Sequence, residues 1–232
     1  MEIETAQQKI KALDRAIGEA ARSCGRDPQE IRAILVTKTV PPQDILTVCK
    51  AGFKEFGENR VQELIKKKEE LPPEIQWHLV GHLQTNKVKY VVGHVALIHS
   101  LDRLELFEEI EEQAVKKNAG EVSCLIQVNS SGEATKYGLA PERVISFVQG
   151  LPVSQVVKIR GLMTIGPFTE DDGCIRKAFR LVRDLQGELQ RRFPDRDWGI
   201  LSMGMSQDYR IAIEEGANLL RIGTLFFGAR KA

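Results

Sequence analysis

The sequence predicts one (β/α)8 barrel with an extra helix at its N-terminus, and three observations carry that prediction. About eight short apolar runs alternate with longer amphipathic ones, the strand and helix order of a mostly parallel sheet. Several short runs, such as residues 32–36, are apolar on both faces, as strands buried on both sides should be. A length of 232 residues is ordinary for one such barrel. An open doubly wound sheet has the same periodicity and stays open as the alternative at this level.

The elements follow in order. Residues 3–23 form the leading helix: Ile3, Ala6, Ile10, Leu13, Ile17 and Ala20 recur at helical spacing, and Cys24-Gly25 stops the run. The first strand is 32–38 (RAILVTK), followed by a helix at 42–51. Strand 53–56 (FKEF) precedes a helix at 59–70, whose Lys66-Lys67-Lys68-Glu69-Glu70 run reads as a solvated helix end. Strand 75–80 (IQWHLV) leads to a helix at 85–91, and strand 95–99 (VALIH) to a helix at 102–118. In that last helix Leu104, Phe107, Ile110 and Ala114 share one face, while Glu108, Glu111, Glu112 and Lys116 face water. Strands 122–128, 157–163 and 198–202 alternate with helices 141–149, 171–191 and 207–215, and strand 219–222 completes the set. No linker, repeat or low-complexity segment interrupts them, so residues 1–232 read as a single domain.

Composition excludes several classes. With 42% hydrophobic and 28% charged residues the chain is expected to be globular rather than disordered. A net charge of +1 gives no electrostatic case for nucleic acid or an anionic membrane as partner. Cys24, Cys49, Cys124 and Cys174 lack the spacing of a zinc knuckle and suggest no disulfide framework, so free thiols in a reducing compartment are expected. Glu2, Glu4, Lys9 and Lys11 make the N-terminus a charged amphipathic helix rather than a signal peptide. A cytoplasmic protein with no metal site is the expectation.

In a barrel of this kind chemistry gathers where strands end, at the C-terminal face. Lys38 closes the first strand, and alternation places Ile34, Val36 and Lys38 on one side, pointing inward. An ammonium there is costly unless it is paired or its pKa drops, and a lysine with a lowered pKa can form a Schiff base with an aldehyde. The other reading is a lysine that emerges at the rim and reaches water. Near the C-terminus, strand 198–202 runs into Met203-Gly204-Met205-Ser206, and strand 219–222 into Gly223-Thr224. Ser206 stands where an N-cap belongs, and free amides beside glycine backbone suit a phosphate. A capped helix and a tight turn without any ligand fit the same residues. Asn59 and His82, also at strand ends, are pocket-lining residues or structural hydrogen-bonders. His78 lies within its strand and reads as a satisfied wall residue, and His94 and His99 receive no role. Paired rim carboxylates are sparse, and no Gly-x-Ser-x-Gly elbow or Walker-type loop occurs.

Six segments together carry a resemblance: VTKTV at 36–40, FGENRVQE at 56–63, WHLVGHLQTNK at 77–87, GLMTIGP at 161–167, LSMGMSQDYRIAIEEGA at 201–217 and RIGTLFFG at 221–228. Each is weak alone. In this order, over nearly the whole chain, they resemble the pyridoxal phosphate (PLP) homeostasis protein family. The resemblance implies the barrel of the alanine racemase N-terminal domain, the PLP fold type III. It implies PLP, a vitamin B6 form, held as a Schiff base on Lys38. It places Ser206 and the backbone of Gly223 and Thr224 at the phosphate, Arg221 at the pyridine nitrogen, and Asn59, His82 and Met163 around the pocket. Guanidinium is effectively always protonated, so Arg221 would donate to the ring nitrogen without protonating it, leaving a weaker electron sink.

The function this resemblance implies is intracellular buffering and delivery of PLP in cofactor and amino-acid homeostasis, without a dedicated reaction. PLP-dependent apo-enzymes are the expected recipients, and the chain is expected to act as a monomer. The alternative is a PLP-dependent amino-acid racemase. That enzyme needs a second base, which alanine racemase takes from a C-terminal domain expected to be missing here; Tyr137, His82 or a partner chain are the remaining proton sources. A Schiff-base aldolase with a free lysine is a third reading, and the placement of Arg221 argues against it.

Overall fold

The computed structural model describes residues 1–228; residues 229–232, the end of the predicted domain, lie outside the described residues. Eight parallel strands close into a barrel in chain order: β1 (Arg32–Val36), β2 (Glu55–Glu58), β3 (Gln76–Leu79), β4 (Leu97–Leu101), β5 (Val122–Val128), β6 (Val157–Thr164), β7 (Ile200–Met205) and β8 (Leu219–Ile222), with β8 pairing back onto β1. The closed barrel decides against the open sheet. Around it lie α1 (Ile3–Ser23), α2 (Pro42–Lys50), α3 (Val61–Glu70), α4 (Leu104–Lys116), α5 (Pro141–Gly150), α6 (Asp172–Arg192), α7 (Tyr209–Glu214) and α8 (Thr224–Phe227). The segment predicted as a helix at 85–91 is a 3-10 helix, Thr85–Tyr90. The four residues of α8 are too few to show a period in sequence, and the reading missed them.

Local chemistry explains several boundaries. Pro42 and Pro141 occupy the first turns of their helices, where a missing N–H costs nothing. The Asp171 carboxylate caps α6 by accepting from the amides of Gly173 and Cys174. The leading helix packs along α2 and α7, over the seam where β8 meets β1. Lys9 Nζ donates to the Phe226 carbonyl at 3.1 Å, and Arg26, just beyond α1, donates to the carbonyls of Ile213 and Ala217.

Two apolar layers form the core. One fills the space between sheet and helices. The other plugs the barrel interior and includes Ile34, Val36, Val80, Leu97, Leu125 and Met163. Ile34 and Val36 therefore point inward, as alternation predicts. Met163 is different. Val157 and Ile159 face outward, and strict alternation would send Met163 the same way. The register shows why it does not: from Cys124 to Ile126 is two steps along β5, whereas the paired residues run from Ile159 to Leu162 on β6. The extra residue reverses the pleat. Gly161 sits at this bulge with φ +143°, and a Cβ there would lie 1.8 Å from the Ile200 carbonyl oxygen.

Among the described residues no helix is long and apolar enough to cross a membrane, and no cluster of ligands for a metal ion occurs. All four cysteines are free, and burial pushes the Cys124 thiol up to about 12.

Candidate functional site

Parallel closure brings every strand's C-terminal end to one face, and the predicted site residues all lie at or just past such ends. Lys38 follows β1, Asn59 follows β2, His82 follows β3, Met163 precedes the last residue of β6, Ser206 follows β7, and Arg221, Gly223 and Thr224 end β8 or follow it.

Lys38 is not the last residue of its strand. β1 ends at Val36, and Lys38 occupies a turn closed by the Val40 amide donating to the Thr37 carbonyl at 2.8 Å. Its side chain is exposed and has no hydrogen bond or ion pair among the described residues. The next residue, Thr39, has φ +64°, the left-handed region that a β-branched residue adopts only when held there. The Glu63 carboxylate accepts the Thr39 amide at 2.8 Å.

Arg221 is 5% exposed and points into the barrel from the same side as Leu219. One terminal nitrogen donates to the carbonyl and the hydroxyl of Ser202, both at 2.8 Å, and the other to the Thr164 carbonyl at 2.6 Å. Burial lowers its pKa to about 10 against the favourable Asp208 charge, so it stays protonated at neutral pH. A guanidinium has five N–H groups, and these bonds leave some over for an acceptor at the mouth.

Below Arg221 runs a buried polar chain. Ser202 Oγ is 3.1 Å from His99 Nδ1, and His99 Nε2 is 3.0 Å from His78 Nδ1. Arg221 can only donate, so Ser202 Oγ accepts from it and has its own hydrogen to donate to His99 Nδ1. In that arrangement neutral His99 carries its hydrogen on Nε2 and donates it to His78 Nδ1. The His78 Nε2–H is directed toward Glu55, 3.7 Å away, at the opposite end of the barrel. Burial first, then the nearby Arg32 charge, pulls His78 down to about 4; burial, His78 and Arg221 pull His99 well below its ordinary value. Both rings are neutral at neutral pH. His78 is thus the satisfied wall residue expected. His99, without an expected role in the sequence, is marked only by its alternation with inward Leu97.

Ser206 does not cap α7. That helix begins at Tyr209, after Asp208. Instead Ser206 Oγ accepts from the amides of Gly223 and Leu225, each at 3.1 Å, and so faces the start of α8 across the β7–β8 gap. The hydroxyl and these amides form one polar cradle that an anion's oxygens can share.

Asn59 and His82 line a cavity of about 510 Å³ with Gln127, Tyr137, Val80 and Ile165. Val80 and Ile165 of its lining also pack in the interior plug, whereas Met163, fully buried in that plug, is not part of the lining. His82 stacks on Tyr137, ring centroids 3.8 Å apart and 14° from parallel. Burial, aided by Arg103, lowers the His82 pKa despite Asp102, whose carboxylate lies 3.7 Å away. Gly81 lets this loop approach: a Cβ there would lie 2.1 Å from the Asn59 carbonyl oxygen.

Lys67, taken as part of a solvated helix end, is 4% exposed. Val61, Leu64 and Leu71 are buried at helical spacing, and Lys67 falls on the same stripe, a signal the run of charges masked.

The residues thus form a barrel mouth with an exposed amine, a buried guanidinium, an anion cradle and an adjoining cavity. Comparison with known proteins identifies the family. The family model "Alanine racemase, N-terminal domain" matches residues 10–231. The pyridoxal phosphate homeostasis protein of Aquifex aeolicus is 44% identical over 225 residues, covering 97% of this chain and 98% of that protein. Its namesake from Vibrio cholerae is 37% identical over 229 residues, covering 97% and 96%. The structure of PipY from Synechococcus elongatus PCC7942, with PLP bound, superposes with a TM-score of 0.83 at 33% identity, covering 96% of this chain and all (100%) of that one. An alanine racemase from Clostridium difficile 630 shares the fold alone: 14% identity, TM-score 0.71, 94% of this chain and 56% of that one. By its family-model match and by these identities over nearly its whole length, the chain belongs to the pyridoxal phosphate homeostasis protein family, built on the alanine racemase N-terminal domain.

Proposed function

We propose that this protein binds PLP on Lys38 and serves to buffer and deliver it inside the cell, with no dedicated turnover. The observation that carries the reading is the joint placement, on one barrel face, of the exposed Lys38 amine, the buried Arg221 guanidinium and the Ser206–Gly223–Leu225 cradle. PipY, a relative that covers this whole barrel, has PLP bound. When bound, the cofactor supplies an aldehyde that condenses with a primary amine and releases water.

This chain's own residues fit that group. Lys38 presents an amine that nothing else in the described residues engages. Ser206 and the amides of Gly223 and Thr224 would hold the phosphate. Arg221 would donate a hydrogen bond to the ring nitrogen while keeping its own proton, leaving a weaker electron sink. Asn59 and His82 line the cavity, and Met163 would contribute only through the interior plug it shares with Val80. An exposed Lys38 leaves the linkage reachable by free amines, the route by which a recipient apo-enzyme would take the cofactor.

The test is borohydride reduction of protein incubated with PLP, followed by peptide mapping. A visible absorbance band before reduction, and the reduced adduct mapped to Lys38, are the expected result. No band at excess PLP overturns the reading. Delivery is then measured as reactivation of an apo-enzyme by the loaded protein. A rate no faster than spontaneous cofactor loss would leave storage alone. A racemase-like activity is the second reading, favoured by the His82–Tyr137 stack in the cavity. Formation of the opposite enantiomer of an amino acid, with deuterium at its α-carbon in heavy water and at a rate above free PLP, would establish it.

A further inference from the structure

We propose that Lys67 is a positioning residue for Lys38: from behind the sheet, its buried ammonium locks the backbone on both sides of that lysine. The proposal rests on the reading of Lys38 as the cofactor-bearing residue.

Lys67 reaches inward from α3 and uses all three of its N–H donors. Nζ lies 2.7 Å from the Thr37 carbonyl, 2.7 Å from Glu58 Oε1 and 2.7 Å from Glu63 Oε1. Each acceptor leads back to the Lys38 turn. The Thr37 carbonyl is the one that closes the turn by accepting the Val40 amide. Thr37 Oγ1 donates to Glu58 Oε1 at 2.6 Å, so the residue before Lys38 is held by backbone and side chain together. Glu63 Oε1 also accepts the Thr39 amide, so the residue after Lys38 is held in its left-handed conformation. Thr37 and Glu58 are fully buried, whereas Lys38 is exposed. The backbone flanking the reactive amine is therefore pinned from the outer side of the barrel, and the amine itself stays exposed and unengaged among the described residues.

Stability is a poor explanation for this cluster. A buried ion pair is often no better for folding than apolar residues of the same volume. Here Glu58 Oε2 also remains buried without a partner. What the charges provide, and an apolar replacement would not, is a directed bond to the Thr37 carbonyl and a fixed acceptor for the Thr39 amide. A turn fixed in advance spares the cofactor the cost of ordering it.

The experiment compares the full-length protein with Lys67→Met and Glu63→Ala. Glu63 is partly exposed, so its variant keeps the fold even if Lys67→Met, which strands Glu58, does not. Three quantities are read: hydrogen exchange of the Thr39 amide without cofactor, the PLP dissociation constant, and the thermal midpoint. Loss of a charge-assisted bond predicts exchange faster by about tenfold or more and PLP binding weaker by about tenfold, with a nearly unchanged midpoint for Glu63→Ala. Wild-type PLP affinity in a Glu63→Ala protein whose Thr39 amide exchanges faster would overturn the proposal. Unchanged exchange at Thr39 would overturn it as well. Failure of the underlying reading shows separately, as wild-type protein whose borohydride adduct is absent from Lys38.

Discussion

The buried His78–His99 pair predicts how stability responds to acid. The imidazole of His78 takes up a proton near 6.5 in the unfolded chain and only near about 4 in the fold. Between those values the unfolded state binds more protons, so stability falls as pH falls through this window. At about 1.36 kcal/mol per unit, His78 alone removes roughly 2 kcal/mol between about pH 6.5 and about pH 5. The whole window is worth roughly 3 kcal/mol. His99 shifts in the same direction, and because the rings share a hydrogen bond they titrate as a pair. The perturbation is His78→Gln, whose amide oxygen still accepts from His99 Nε2 but does not titrate here. The assay is denaturant unfolding of cofactor-free protein across this range. Glu58 and Asp208, which burial raises, act with the opposite sign in both proteins and cancel from the difference. Wild type should lose roughly 2 kcal/mol more than His78→Gln, or about 4–8 °C in thermal midpoint. Equal losses would refute the buried, neutral relay.

Two more outcomes follow from particular contacts. Gly161→Ala places a methyl against the Ile200 carbonyl at a φ that suits glycine, so a loss of about 3 kcal/mol or more is expected by thermal or denaturant unfolding. Ser206→Ala removes the acceptor shared by the Gly223 and Leu225 amides near the surface. It should cost about 1 kcal/mol or less in stability yet weaken PLP binding by about tenfold, measured by absorbance titration.

Much of the architecture was legible because it rests on local pattern. Strands apolar on both faces, helices with one apolar stripe and proline at first turns are written residue by residue, and their alternation implies the barrel. Because parallel closure gathers strand ends, Lys38, Asn59, His82, Ser206, Arg221 and Gly223 were findable as residues at those ends, and the family resemblance supplied the roles proposed for them.

The rest depended on partners far apart in sequence. Alternation points Met163 outward, and one extra residue in the β5–β6 register turns it inward. Ser206 reads as the cap of the helix after it, yet its hydroxyl serves amides 17 and 19 residues on. His99 gained its place from Ser202, 103 residues away. Lys67 looked solvated among its charged neighbours until folding set it against Thr37, 30 residues earlier. Sequence alone determined which segments form strands and helices, because backbone propensity and hydrophobic period act over a few neighbouring residues. Which face a bulged strand shows, and which donor meets which acceptor, was decided by the closed barrel, because those choices depend on the register between strands.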